Sequence, residues 1–326
     1  MKINKNLVYA IPLFMVGGFL FGGGADVEIV RKMKLLIVPL TFLMVYPMMV
    51  TLNMKHLKQG LSPKLQGTAQ FINFALIPFI AFFLGKWFFP GQPYMALGLL
   101  LASLLPTSGM TISWTGFAKG NMGAAINMTV IGLTLGSLAT PFYVSWLLGA
   151  EVEVDIVRAM QQILLIVFLP MGLGYVTRQA LLKKYTMPEF KAKIAPRFPA
   201  LSTVGVLGIV FVAIALKART IIESPGLFLS IFIPLLLLYL INFGLSTVTA
   251  KLFFSRADSI ALVYGTVMRN LSIALAIAIN AFGEAGANAA LVIALAYIIQ
   301  VQSAAWYVKF TDSFFGVIEQ KNAESP

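Results

Sequence analysis

Apolar runs long enough to cross a bilayer recur ten times along this chain, and nothing else in the sequence restricts its fold so severely. They centre on residues 7–23, 35–52, 69–88, 95–118, 124–148, 163–176, 201–216, 227–250, 260–282 and 289–308. The sixth reaches spanning length only if it begins near Ile156. Hydrocarbon offers no partner to a backbone amide, so such runs are helices. With 59% hydrophobic residues, 11% charged residues and a mean hydropathy of +0.88, the chain reads as an all-α membrane protein. Glu151, Glu153 and Asp155 divide it between the fifth and sixth runs. Ten therefore reads as five plus five, with halves of about 1–150 and 151–320 and a short tail, 321–326. Five is odd, so the second half enters the membrane upside down, and ten transmembrane helices form two inverted five-helix repeats. The whole chain, 1–326, is one transmembrane domain, because the longest polar connection, 178–197, is too short to fold alone.

Orientation follows from the Lys and Arg residues outside the spans. Sixteen lie on the side that holds both termini and seven on the other, which puts the termini in the cytoplasm of a plasma-membrane protein. The cluster Arg31, Lys32 and Lys34 is the local exception and suits a short interfacial helix. Reading the start instead as a cleavable secretory signal leaves nine spans and destroys the symmetry. The +12 formal charge is spread over short loops, so it reports topology and calls for no nucleic acid. The bilayer and a small molecule are the partners the sequence implies; oligomeric state is not legible.

Two runs are interrupted at their centres. The fourth carries Pro106, Thr107, Ser108 and Gly109, and the ninth carries Gly265, Thr266, Arg269, Asn270 and Ser272. They are symmetry mates in the five-plus-five reading, so helices 4 and 9 are expected to be broken and to cross at mid-membrane, the sequence pointer to a transporter's substrate site. All twelve carboxylates fall in loops, at span ends or in the tail, and the one histidine, His56, lies in a basic connection. There is no cysteine. Without a mid-membrane acid, base or metal-ligand cluster, an intramembrane enzyme is excluded, and no metal or cofactor is called for.

Arg269 is the lone charge inside a span. A guanidinium there costs roughly 2.5–3.5 kcal/mol on insertion scales and persists only beside a polar cavity or a partner. Two roles fit: it ties up carbonyls freed by the break or meets a carboxylate, or else its planar fork holds an external oxyanion bidentately. Half-helix N-termini at the breaks favour the same sign of ligand. The candidate substrate-binding residues are Arg269, Asn270, Thr107, Ser108, Thr111, Thr266, Ser272, Thr129 and Gln300. Each hydroxyl has a plainer role as a helix cap or an interhelical bond. Trp114, Asn127, Gln302 and Asn73 are lesser candidates for the same cavity, while Gly132, Gly136 and Gly172 are expected to mark close helix contacts.

The run LPTSGMTISWTGFAKGN, 105–121, resembles the first crossover of the arsenical-resistance (arsenite permease) family, a relative of the bile acid:sodium symporters. LMVYPMM at 43–49, LPMGLGYVTR at 169–178 and MRNLSIALAIAINAFG at 268–283 are similar to that family as well. The resemblance covers nearly the whole chain and implies a ten-span transporter. It also locates departures. Arsenite permeases carry a cysteine where this chain has Thr107, two asparagines where it has Arg269 and Asn270, and glutamates where it has Ser272 and Gln300. Without the thiolate, arsenic(III) loses its soft ligand. Against the sodium-coupled relatives, Gly265 replaces a glutamate, Arg269 a glutamine, Thr111 and Ile112 a Ser-Asn pair and Ala125 a serine, while Thr129 is retained.

The expectation is a secondary transporter of a small organic or inorganic anion, working by alternating access without sodium, with Arg269 as the counter-charge. The alternatives are arsenite or metalloid efflux, sodium-coupled symport of an organic anion, and a non-transporting sensor.

Overall fold

A computed structural model describes residues 2–51, 62–152, 155–223, 226–283 and 285–316. His56, Glu153 and the tail 321–326 lie outside the described residues. Helices are the only extended regular elements among those described. They are α1 (Lys2–Gly24), α2 (Ile37–Thr51), α3 (Pro63–Phe88), α4 (Pro93–Leu104), α5 (Gly109–Phe117) and α6 (Met122–Leu148). After the acidic connection come α7 (Ile156–Lys184), α8 (Arg197–Glu223), α9 (Gly226–Phe253), α10 (Arg256–Val267), α11 (Leu271–Phe282) and α12 (Gly286–Phe315).

Six of these, α3, α6, α7, α8, α9 and α12, are long and apolar enough to cross a membrane by themselves. The sixth apolar run does begin at Ile156, where the Asp155 carboxylate accepts the Arg158 N–H at 2.9 Å and caps the helix. Both interrupted runs are broken as expected, into α4 with α5 and α10 with α11.

Burial sorts the helices. Within its most apolar stretch α12 is 72% buried and α7 only 28%, so α12 sits at the centre and α7 at the rim. Around α12 pack α4, α9 and α11, while α1, α2, α7 and α8 form a second group in which α1 and α2 pack on α8 and α7 packs on α2. A side chain on Gly18 would meet the Phe211 carbonyl oxygen at 2.5 Å, and one on Gly22 would collide with the Ala215 carbonyl oxygen. The four-residue spacing of small residues is thus what lets α1 lie directly on α8. Phe83, Trp87, Trp146, Leu229, Leu240 and Trp306 are exposed, as a lipid-facing surface requires.

Proline breaks are repaired locally. Pro78 has no N–H to offer the Phe74 carbonyl, α3 widens into a π-helical turn over Phe71–Leu76, and the Tyr143 hydroxyl donates to Phe74 O at 2.8 Å instead. Two sequence expectations need correction. Among the described residues nothing stands within 4 Å of where a Gly172 side chain would be, so it marks no close contact with them. Arg178, assigned to a loop, is inside α7, buried, with its guanidinium 5.8 Å from the centre of the Phe190 ring.

Candidate functional site

The two breaks meet. Residues 105–107 and 268–270 run antiparallel, with Pro106 opposite Arg269 in a single bridge. Thr107 N–H donates to Met268 O at 2.7 Å and Asn270 N–H to Leu105 O at 2.8 Å. In this register Pro106 and Arg269 face one another without exchanging bonds. A proline is therefore tolerated at 106, because its missing N–H is not required. Glycines on α6 let that helix press against the break: a Cβ on Gly132 would lie 2.9 Å from Thr107 Oγ1, and one on Gly136 2.8 Å from Pro106 Cδ.

Thr107 sits at φ 67, a left-handed conformation that costs a β-branched residue on the order of 1–3 kcal/mol. Its hydroxyl turns to backbone, with the carbonyl oxygens of Pro106 (2.5 Å), Met128 and Thr129 (both 3.3 Å) in reach. Ser108 and Thr111 are taken up by a capping box at the start of α5. The Ser108 hydroxyl accepts Met110 N–H at 3.2 Å, and Thr111 accepts Ser108 N–H at 3.1 Å. Thr129 donates to Ala125 O at 2.8 Å within its own helix. Thr266 bonds the Ser246 hydroxyl at 2.6 Å, and Ser272 bonds the Tyr297 hydroxyl at 2.5 Å. The hydroxyls expected around the breaks are thus gathered near the crossing but largely occupied by protein partners.

The carbonyls left unpaired at the end of α10 and in the break beyond it are answered by amide side chains from three helices. Asn73 on α3 donates to Gly265 O at 3.1 Å, Asn242 on α9 to Thr266 O at 2.9 Å, and Gln300 on α12 to Arg269 O at 3.1 Å. Gln300 also accepts, from Arg269 N–H and from the Tyr239 hydroxyl, both at 2.8 Å. Asn242 and Tyr239 escaped the sequence reading. The signal was there, since Asn242 is the lone amide in the apolar run 227–250, one helical turn from Tyr239. Of the lesser candidates, Asn127 is buried on α6, Gln302 is half-buried on α12, and Trp114 packs edge-on against Phe117.

Arg269 is 2% exposed, and neither terminal nitrogen of its guanidinium has a hydrogen-bond partner among the described residues. No described carboxylate pairs with it. Beside it Asn270 caps α11 by accepting Ile273 N–H at 3.3 Å, while its own NH₂ group is buried and unpartnered. Arg269 and Asn270 therefore leave the same kind of demand unmet, buried donors in want of an acceptor. The N-termini of α5 and α11 abut the same crossing and add positive potential.

Apolar helices of spanning length, two of them broken, with the breaks joined around a buried cation, are the build of a membrane transporter. The model of the Sodium Bile acid symporter family matches residues 38–224, more than half of the chain, and the chain belongs to that family. Over 233 residues it is 27% identical to a Bacillus subtilis protein named Uncharacterized protein YbaS, covering 71% of this chain and 74% of that one. It is 24% identical to two proteins named Arsenical-resistance protein Acr3. The match to that of Corynebacterium glutamicum spans 259 residues, 76% of this chain and 70% of the other. The match to that of Alkaliphilus metalliredigens spans 271 residues, 78% and 75%. Members of the family are transporters rather than enzymes, and the chain is a multi-pass membrane protein.

Proposed function

We propose that the protein is a secondary transporter of a small organic or inorganic anion, with Arg269 as the counter-charge at the crossing of two broken spans. One observation carries this reading: the unmet hydrogen-bonding capacity of Arg269 and Asn270 is all donor, buried and without a described carboxylate. An oxyanion supplies what those groups lack, and the fork suits carboxylate, phosphate or sulfate geometry. Ten spans arranged as two inverted five-helix halves, 1–150 and 151–320, with both termini cytoplasmic, give the alternating-access framework. Ser108, Thr111, Thr129, Thr266 and Ser272 hold the half-helices in register around Arg269. Thr107 lines the break beside them.

Sodium plays no part in this proposal. The carbonyls of Gly265, Thr266 and Arg269 already accept amide N–H groups, which leaves them poorly placed to coordinate a cation, and Arg269 adds a fixed positive charge. A second reading, extrusion of arsenite or a related metalloid, is favoured by the two relatives named arsenical-resistance proteins. It lacks a soft ligand, because Thr107 stands at the break and turns its hydroxyl to backbone carbonyls. Proteoliposome uptake of acetate, succinate, phosphate, sulfate and arsenite, with and without a sodium gradient, separates the readings. The proposal expects sodium-independent uptake of one anion that Arg269→Gln abolishes. Uptake of arsenite alone, or of an anion only with sodium, would reject it.

A further inference from the structure

Arg269 is held by the backbone, and the residue that holds it is Gln300. Because Pro106 and Arg269 face each other without exchanging bonds, the N–H and C=O of Arg269 point away from residues 105–107, toward α12. Gln300 meets that free edge as a further strand would. Its Oε1 accepts Arg269 N–H at 2.8 Å and its Nε2 donates to Arg269 O at 3.1 Å. Because the peptide N–H can only donate and the C=O can only accept, the amide's orientation is fixed, and the Tyr239 hydroxyl donates to the same Oε1 at 2.8 Å. All three residues are at least 96% buried.

We propose that Gln300 determines what Arg269 can bind: it positions the residue through its peptide and, being uncharged, leaves the guanidinium to an anion from outside. This rests on the anion reading given above. A carboxylate at 300 would still accept from Arg269 N–H. It would leave Arg269 O without a donor, however, and would set a negative charge against the peptide of a residue whose buried guanidinium has no described acceptor. The protein would then carry its own counter-ion where the substrate belongs. Glutamine is the side chain of that length that grips both peptide groups with no charge.

The test compares Gln300→Glu and Gln300→Leu with the parent protein, purified in detergent. The probe is whichever of nitrate, sulfate or methanesulfonate gives the parent the larger thermal shift. Gln300→Glu should melt higher than the parent without anion and bind the probe at least tenfold more weakly. Its extra stability should vanish in the Arg269→Gln background. Gln300→Leu removes the clamp without adding charge, so it should melt lower. Probe affinity unchanged in Gln300→Glu overturns the inference. So does a Gln300→Glu protein that loses stability as Gln300→Leu does, since that is the behaviour of a plain packing contact. Arg269→Gln binding the probe as tightly as the parent sinks the anion reading itself, and this inference with it.

Discussion

Replacing Arg269 with methionine should make the ligand-free protein more stable. Methionine keeps an unbranched stem of similar reach and removes the charge. In the structure Arg269 is 2% exposed, its terminal nitrogens have no partner among the described residues and no described carboxylate pairs with it, so almost nothing offsets its desolvation. An arginine at the centre of a span costs roughly 2.5–3.5 kcal/mol on insertion scales, and that cost is what the substitution relieves. The clamp from Gln300 grips the peptide of residue 269 and is kept. At a few degrees per kcal/mol, melting should rise by about 5–10 °C in detergent without anion. Saturating anion closes the gap. A ligand at a hundred times its Kd stabilises by about 2.7 kcal/mol, so the parent protein should rise to meet the variant, which has nothing to bind it with. Melting curves of both proteins across an anion titration read both effects. A variant less stable than the parent by about 3–5 kcal/mol, the cost of breaking a buried ion pair, would show that Arg269 serves a hidden structural partner and refute the reasoning.

Three further outcomes follow from the geometry around the crossing. Asn242→Leu strips the donor from Thr266 O and the acceptor from the Ser246 hydroxyl, and should cost about 1–3 kcal/mol in reversible unfolding; no loss would mean the end of α10 is held otherwise. Gly136→Ala places a methyl 2.8 Å from Pro106 Cδ and 2.9 Å from Leu104 O, against backbone that cannot yield, and should cost about 1–3 kcal/mol and slow transport; a neutral effect would show that α6 does not brace the break. The chain has no cysteine, so Thr107→Cys introduces a single thiol at a fully buried position. It should react slowly with a membrane-impermeant maleimide until the protein is denatured, and rapid labelling would mean that the break is open to water.

The spans and their breaks were legible because their causes are local. A twenty-residue apolar run has one viable conformation in a bilayer. Pro106 with Gly109, and the weak helix formers around Asn270, interrupt such a run whatever surrounds it. Arg269 stood out for a similar reason, as a charge alone among apolar neighbours. The destinations of the polar side chains were not legible, since they depend on which helix faces which. Asn73 and Gln300 read as cavity-lining candidates, yet they pair with carbonyls of α10 and of Arg269, residues 192 and 31 positions away. Ser108 and Thr111 satisfy each other across one turn, a pairing their spacing allows but a cavity role would equally have explained. Gly172 misled because a glycine in a span signals close packing only if another helix is there.

A structure determined with a heavy anion, such as selenate, bound to the purified protein would test the role of Arg269 most directly. The account predicts anomalous density within about 3–4 Å of the terminal nitrogens of Arg269 and close to the Asn270 amide, with the Gln300 clamp intact. A guanidinium found bonded to a protein carboxylate or carbonyl, with no anion beside it, would contradict the account.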